Sequence, residues 1–353
     1  MVESEALWRE ALYGPSGFFT RGEVPADHFR TAPLIGPELA EALLLLLDRV
    51  DFALGRPARL DFVDVGAGGG ELAGAVRSSA SGPLAARLVV TAVDVGPARS
   101  VPGVRWRRDL PSSVCGLLVG HEWLDAVPCP AVTGPFTHPW LDRWWPVRDG
   151  ERAEVGEPRD AAWADAVSRV ARGAALAVDY GHLREDRVAG RYAGGTFAAY
   201  RGGRRVEPVF DGSCDLTAHV ALDACAEAAG GEWVLVSQRD ALGALGLAGT
   251  APPPPLAGAA VAHAPLAEPD PATGSGTSIE PAGLGTAAGP GEGTGVDGRG
   301  RVAAGLAWLA AAERASRVAE LRDPGGLGAF GWLLHGVGVP VSALLPPLPP
   351  WRP

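Results

Sequence analysis

Hydrophobic and polar positions follow two rhythms along this chain. Short continuous apolar runs alternate with stretches whose apolar residues recur at helical spacing. "LDFVDV" (60–65) predicts a first strand and "GELAGAVRSSA" (70–80) the helix after it. "RLVVTAVDV" (87–95) is a second strand ending at Asp94, and "GVRWRRDL" (103–110) holds a short third. "VCGLLVGHEWLD" (114–125) holds a fourth that runs into acids. "AALAVDYG" (174–181) is a fifth, preceded by a helix over 159–173. Such runs between helices imply an α/β fold with a mostly parallel sheet covered on both faces.

The flanking segments complete the expectation. Residues 1–30 read as a short helix and then a loop, and 36–50 as a helix apolar all round. Its "ALLLLLDRV" falls far short of the ~20 apolar residues a bilayer span needs, so it reads as buried in the core. "GGTFAAYRGG" (194–203) and "GEWVLVSQRD" (231–240) suit later antiparallel strands. Residues 249–300 have almost no large apolar side chains and no period. They read as a disordered Pro/Gly-rich linker, burying too little surface to offset chain entropy. A helix over 301–323 and a final strand within 326–338 follow. The expected organisation is therefore one domain, 1–248 completed by 301–353, with an insertion between.

Composition narrows the chemistry. The net charge of −10 argues against nucleic acid or an anionic membrane as partner. All 31 basic residues are arginine, which removes Schiff-base, Walker and kinase lysine mechanisms. The four cysteines, Cys115, Cys129, Cys214 and Cys225, form no C-x-x-C pair, so no metal or redox site is expected. The acidic, amphipathic start is unlike a signal peptide, and the expected location is the cytoplasm.

The stretch from Leu60 to Val76 raises the chemical question. Glycine after a strand lets a ligand touch the main chain, and the next helix then presents its first N–H groups. A dinucleotide loop needs G-x-G-x-x-G; Gly66 and Gly68 fit, but the third position is Glu71. The loop instead reads Asp64, Gly66, Gly68, Gly70 at every second position. This resembles the first motif of class I S-adenosylmethionine-dependent methyltransferases. The resemblance implies that the glycines admit the methionine chain and that Asp64 serves its amino group. It also implies that Asp94 takes the ribose hydroxyls and that Asp109 lies near the adenine amine. A plain glycine turn with surface acids is the competing reading.

Beyond the fourth strand, Glu122 and Asp125 flank Trp123. Two carboxylates beside an aromatic ring suit a guanidinium; alternatively both acids cap the next helix. Asp179, Tyr180, Gly181 and His182 end the fifth strand and either line the acceptor pocket or form an ordinary turn. His219, Tyr200 and Arg201 are open between substrate contact and structure. Trp140, Trp144 and Trp145 suit packing, or the docking of a partner where exposed.

"HEWLDAVPC" resembles the "NEFFDALP" signature of the MidA-like methyltransferases, the family of the mitochondrial complex I assembly arginine methyltransferase. "YGPSGFF…HFRTAP", "DVGAGGGEL", "AVDYGH", "GTFAAYRGGRRVEPV", "CDLTAHV" and "DPGGLGAFGWLLHGVG" resemble further family segments in the same order. The resemblance implies a Rossmann-like class I sheet with an added N-terminal helical region, S-adenosylmethionine as cofactor, and an arginine on a protein as acceptor. Carried over by position, Gly66, Gly68 and Gly70 hold the cofactor and Glu122 holds the acceptor arginine; from their place at the strand ends, Asp125 joins Glu122 as a catalytic candidate and Trp123, Asp179 and Tyr180 are substrate-binding candidates. Thr31 and Pro33 belong to a segment closing over the cofactor. The chain departs from the pattern at His28, Leu34, Gly69 and His121. A small-molecule acceptor, a non-catalytic cofactor-binding assembly role and a dehydrogenase are the rival expectations.

Overall fold

Every residue of Leu60–Val65 (β1) is buried, because both faces of this strand are covered. Leu60 and Phe62 pack toward the helices Glu38–Ala53 and Glu71–Ser79. Val63 and Val65 pack toward the helices Glu157–Ser168 and Leu222–Ala229 on the other side. Alternate side chains of a strand point to opposite faces, so a strand covered twice must be apolar nearly throughout. Leu88–Val93 (β2), Val104–Arg107 (β3), Val114–His121 (β4) and Val170–Asp179 (β5) join β1 in parallel. Glu232–Ser237 (β6) and Gly331–Val337 (β7) complete a seven-stranded sheet in the order β6-β7-β5-β4-β1-β2-β3. β7 is antiparallel to both β5 and β6. This is a mostly parallel, Rossmann-like α/β sheet covered by helices on both faces, the expected fold class.

The computed structural model describes residues 2–3, 5–23, 31–247, 249 and 298–353. The expected linker, 249–300, lies outside them except at its two ends, as does His28. The chain divides into two units, 1–249 with 315–353, and 250–314. The described part of the second is the first portion of the helix Gly298–Leu321. In the first unit, Ala315, Val318 and Leu321 are buried, and Arg317 pairs with the buried Glu38 at 2.8 Å. Among the described residues no helix is long and apolar enough to cross a membrane.

Two expectations are corrected. The helix expected over 159–173 is Glu157–Ser168, and residues from Val170 belong to β5. Nothing in "SRVARG" breaks a helix locally; pairing of Val170 with Val114 overrides propensity there. The region added to the sheet is also not simply helical. It contains the helix Glu5–Tyr13 and two small antiparallel sheets. One joins Val2–Glu3, Ala131–Thr133 and Arg152–Glu154. The other joins Ala198–Arg201, Arg204–Val206 and Asp215–Thr217. In the latter, Leu216 and its register partner Ala199 pack with Trp8 and Leu12 of the first helix. The opposite face, with Tyr200 paired to Asp215 and Thr217 two residues on, is left for the site.

Candidate functional site

The loop after β1 is shaped by its neighbours. Gly66, Gly68 and Gly70 have φ of +71°, +56° and +86°, a region side chains avoid. A Cβ on Gly66 would stand 2.9 Å from Trp123 Cδ1. The N–H groups of Gly66 and Ala67 donate to Val93 O at the end of β2. Asp94, the next residue, accepts from Gly68 N–H at 2.8 Å and Gly96 N–H at 2.7 Å. Asp64 accepts from Ala73 N–H at 3.1 Å in the helix that follows. Burial pushes the Asp64 carboxyl up to about 7, the Ala73 N–H opposes this, and the charges of Asp94 and Glu71 add to it.

Two cavities border Gly66. The larger, about 600 Å³, is lined by Tyr13, Phe19, Asp94, Asp109 and Trp123 among others. The smaller, about 350 Å³, is lined by Thr31, Asp64, Glu122, Asp125, Tyr180 and Asp215 among others. Both lie at the carboxyl ends of β1 and β4, and the larger also at that of β2, where open parallel sheets bind ligands. Gly68 and Gly70 border neither cavity: one is tied to Asp94, the other packs beneath Val101 and Trp106.

The smaller cavity is acidic. Glu122 follows β4 at φ +49°, in the left-handed region, which costs a non-glycine residue roughly 1–2 kcal/mol. Its N–H donates to Val178 O at 2.8 Å, and Asp179 holds the next turn. Asp179 Oδ2 accepts from Leu124 N–H at 3.1 Å and Asp125 N–H at 3.2 Å. Asp125 Oδ2 accepts from the hydroxyls of Tyr180 and Thr217. Among the described residues, Glu122 Oε1, Asp125 Oδ1 and Asp215 Oδ1 are buried without a hydrogen-bond partner. Burial, then the charges of Asp125 and Asp215, raise the Glu122 carboxyl to about 8 against the opposing N–H of Ala32. Burial and then Asp125 raise Asp215 to about 8.

Two nearby basic residues among those described, Arg159 and His121, do not neutralise these groups. Buried Arg159 spends its donors on carbonyls: Val127 at 3.0 Å, Ala218 at 2.9 Å, His219 at 2.8 Å and Asp125 at 2.7 Å. It thereby staples the turn after β4 to the strand end at 218–219. Arg159→Met should lower stability by about 3 kcal/mol, because four main-chain carbonyls, two buried and two part-buried, lose donors. Urea melting checks this, and an unchanged midpoint would contradict the stapling role. His121 Nδ1 lies 3.5 Å from Glu122, but burial lowers its pKa to about 4 and keeps it neutral. An acidic, enclosed site with free acceptors suits a cation that carries several N–H donors.

Residues 133–238 match a family model described as "Putative S-adenosyl-L-methionine-dependent methyltransferase". No curated protein matches the chain. Two solved structures from Burkholderia thailandensis share its fold. One, called a "likely methyl transferase", is bound to S-adenosyl-homocysteine; it is 20% identical, with a TM-score of 0.64, over 95% of this chain and 87% of its own. The other is an uncharacterized superfamily protein in its native form, 20% identical, with a TM-score of 0.65, over 96% of this chain and 88% of its own.

The geometry redistributes several expected roles. Asp64, Gly66, Asp94, Asp109 and Thr31 all border the paired cavities. Glu122, Asp125 and Tyr180 meet in the smaller one. Trp123, expected beside the acceptor, instead covers Gly66 and Gly120 and lines the larger cavity. The left-handed turn at Glu122 sends the two neighbouring side chains to different cavities. Asp179, also expected to contact substrate, is fully buried, borders neither cavity and binds the turn's N–H groups. The capping role considered for Glu122 and Asp125 therefore belongs to Asp179. Trp140, Trp144 and Trp145 are buried and pack together. Tyr200, left open between substrate contact and structure, lines the smaller cavity, whereas Thr217 and Asp215 were legible only within "CDLTAHV"; the alternation of Asp215 and Thr217 on a strand is the signal that places them together.

Proposed function

We propose that this chain is an S-adenosylmethionine-dependent methyltransferase of the MidA-like kind, acting on an arginine side chain of a protein partner. The sheet order, the family match and the cofactor product held by the Burkholderia thailandensis structure support the cofactor class. The observation that carries the acceptor is the trio of unpartnered carboxylate oxygens on Glu122, Asp125 and Asp215, beside the glycine loop.

The residues fit the cofactor. Gly66 has no side chain where both cavities meet, and Asp64 and Asp94 border different cavities from it. Asp94 and Asp109 would hold the ribose and adenine in the larger cavity, and Asp64 and Thr31 the amino-acid end in the smaller. When bound, the cofactor supplies a methyl group already activated on a sulfonium sulfur. The chain's own residues bind, orient and desolvate the acceptor. Glu122 accepts N–H bonds from the guanidinium and draws its charge toward the nitrogens it holds, leaving the remaining nitrogen richer in electrons. Carboxylates in the same cavity accept the proton that the methylated product releases.

Protonated Glu122 and Asp215 cannot attract a cation. Both carboxyls are raised to about 8, so they ionise as pH rises through that value. kcat/KM for the acceptor, which reports the free enzyme, should therefore climb from about pH 6 to about pH 9 and then level. A flat or falling profile would contradict this. Incubation with tritiated cofactor and cell lysate tests the whole proposal. Label in a discrete protein band, recovered as methylarginine, is expected; label confined to small molecules, or none, overturns it.

A further inference from the structure

Asp215 is the acid that the mechanism above leaves without a defined task. It stands on the three-stranded sheet of the added region, outside the seven-stranded sheet that carries Glu122. Its register partner Tyr200 and its neighbour Thr217 line the same cavity, while Leu216 between them faces the core. The Thr217 hydroxyl is already committed to Asp125 at 2.7 Å. Asp125 in turn has one oxygen engaged by two hydroxyls, which fixes it as part of the wall. Asp215 Oδ1 has no partner, only 9% of the residue is exposed, and no basic side chain among the described residues pairs with it by an ion-pair contact.

Leaving a carboxylate buried and unpaired is costly, and an asparagine of the same shape would avoid the cost. Sites retained against stability are characteristically functional. We infer that Asp215 is the second jaw of a two-carboxylate clamp, gripping the acceptor guanidinium together with Glu122 from a separate sheet. The inference rests on reading the acidic cavity as the acceptor site. A guanidinium is planar and offers donors along more than one edge, so two carboxylates from different elements fix its plane as well as its position. A point-like ammonium gains attraction from such a pair but no fixed orientation. Guanidinium over ammonium is therefore the selectivity this arrangement gives.

The test needs neither cofactor nor turnover. Methylguanidine, with methylammonium as control, is titrated into the full-length chain at about pH 9, above the value of about 8 to which both carboxyls are raised, and read by calorimetry. The wild type should bind methylguanidine more tightly than methylammonium. Asp215→Asn should weaken methylguanidine at least about tenfold, and Asp215→Glu should recover part of the loss. At the same pH the melting temperature of Asp215→Asn should stay level or rise, since a buried carboxylate without a partner is gone. Equal binding by wild type and Asp215→Asn overturns the clamp, as does no binding by the wild type. A lowered melting temperature accompanying lost binding marks Asp215 as structural and also overturns it. If the clamp passes while no lysate protein acquires label, it is the proposed methyl transfer that fails, and the cation site stands.

Discussion

Glu122→Gln should reduce methyl transfer by at least about 10³-fold, equivalent to ~4 kcal/mol of transition-state stabilisation. The substitution keeps the size of the side chain and leaves the left-handed turn at 122 in place. It removes the carboxylate that immediately follows β4 and has an unpartnered oxygen in the acidic cavity. Cofactor affinity should stay within a few fold, because Asp64, Asp94 and Gly66 are untouched. The melting temperature should not fall, since burial already disfavours the ionised Glu122. Steady-state assays with labelled cofactor, paired with calorimetry, read both quantities. Turnover within tenfold of wild type would remove Glu122 from the mechanism. Loss of cofactor binding in the same variant would show that its role is to shape the cofactor site.

Gly66→Val should abolish cofactor binding, by at least about 100-fold or ~2.7 kcal/mol. The backbone there has φ +71°, which a β-branched residue resists. A Cβ would also press on Trp123 at 2.9 Å, and the larger side chain would enter the place that both cavities border. Gly55→Ala is the control for backbone strain alone: φ is +76°, yet nothing lies within 4 Å of the added carbon. Both variants should lose about 1 kcal/mol or more of stability, but only the first should lose the ligand. Wild-type affinity in Gly66→Val would mean that the ligand lies elsewhere.

The central sheet was legible because its strands are covered twice. β1, β2, β4 and β5 are buried on both faces over most of their length, so each reads as a largely apolar run between helices, interrupted only by residues such as Asp61 and Asp64 in β1 and Arg172 in β5. The insertion of β7 between β5 and β6 was not legible, since strand order is decided by long-range pairing that leaves no local mark. The start of β5 was hidden for a related reason: alanine and arginine favour helix, and only the partner strand makes residues from Val170 extended. Of the small sheets only the antiparallel strand within 194–203 was legible; the strands have two to four residues, too short for a clear period.

The site divides in the same way. The glycine loop and the strand-end acids announce themselves because a ligand-bearing turn needs unusual residues in a fixed order. Side chains brought in from separate elements do not. Asp215 sits far along the chain from Glu122 and joins it only through the cavity wall. Asp179 has the composition of a site residue, but its carboxylate is consumed by three main-chain N–H groups, including its neighbour Tyr180 at 3.0 Å. Adjacent residues 122 and 123 could be separated only by the φ of +49° that turns the chain between the cavities.

Calorimetric titration of the purified chain with S-adenosylmethionine tests the central claim most directly. Saturable binding at one site per chain, in the micromolar range and competed by S-adenosylhomocysteine, is the predicted result. Folded protein that gives no binding heat and no thermal stabilisation at millimolar cofactor would contradict it.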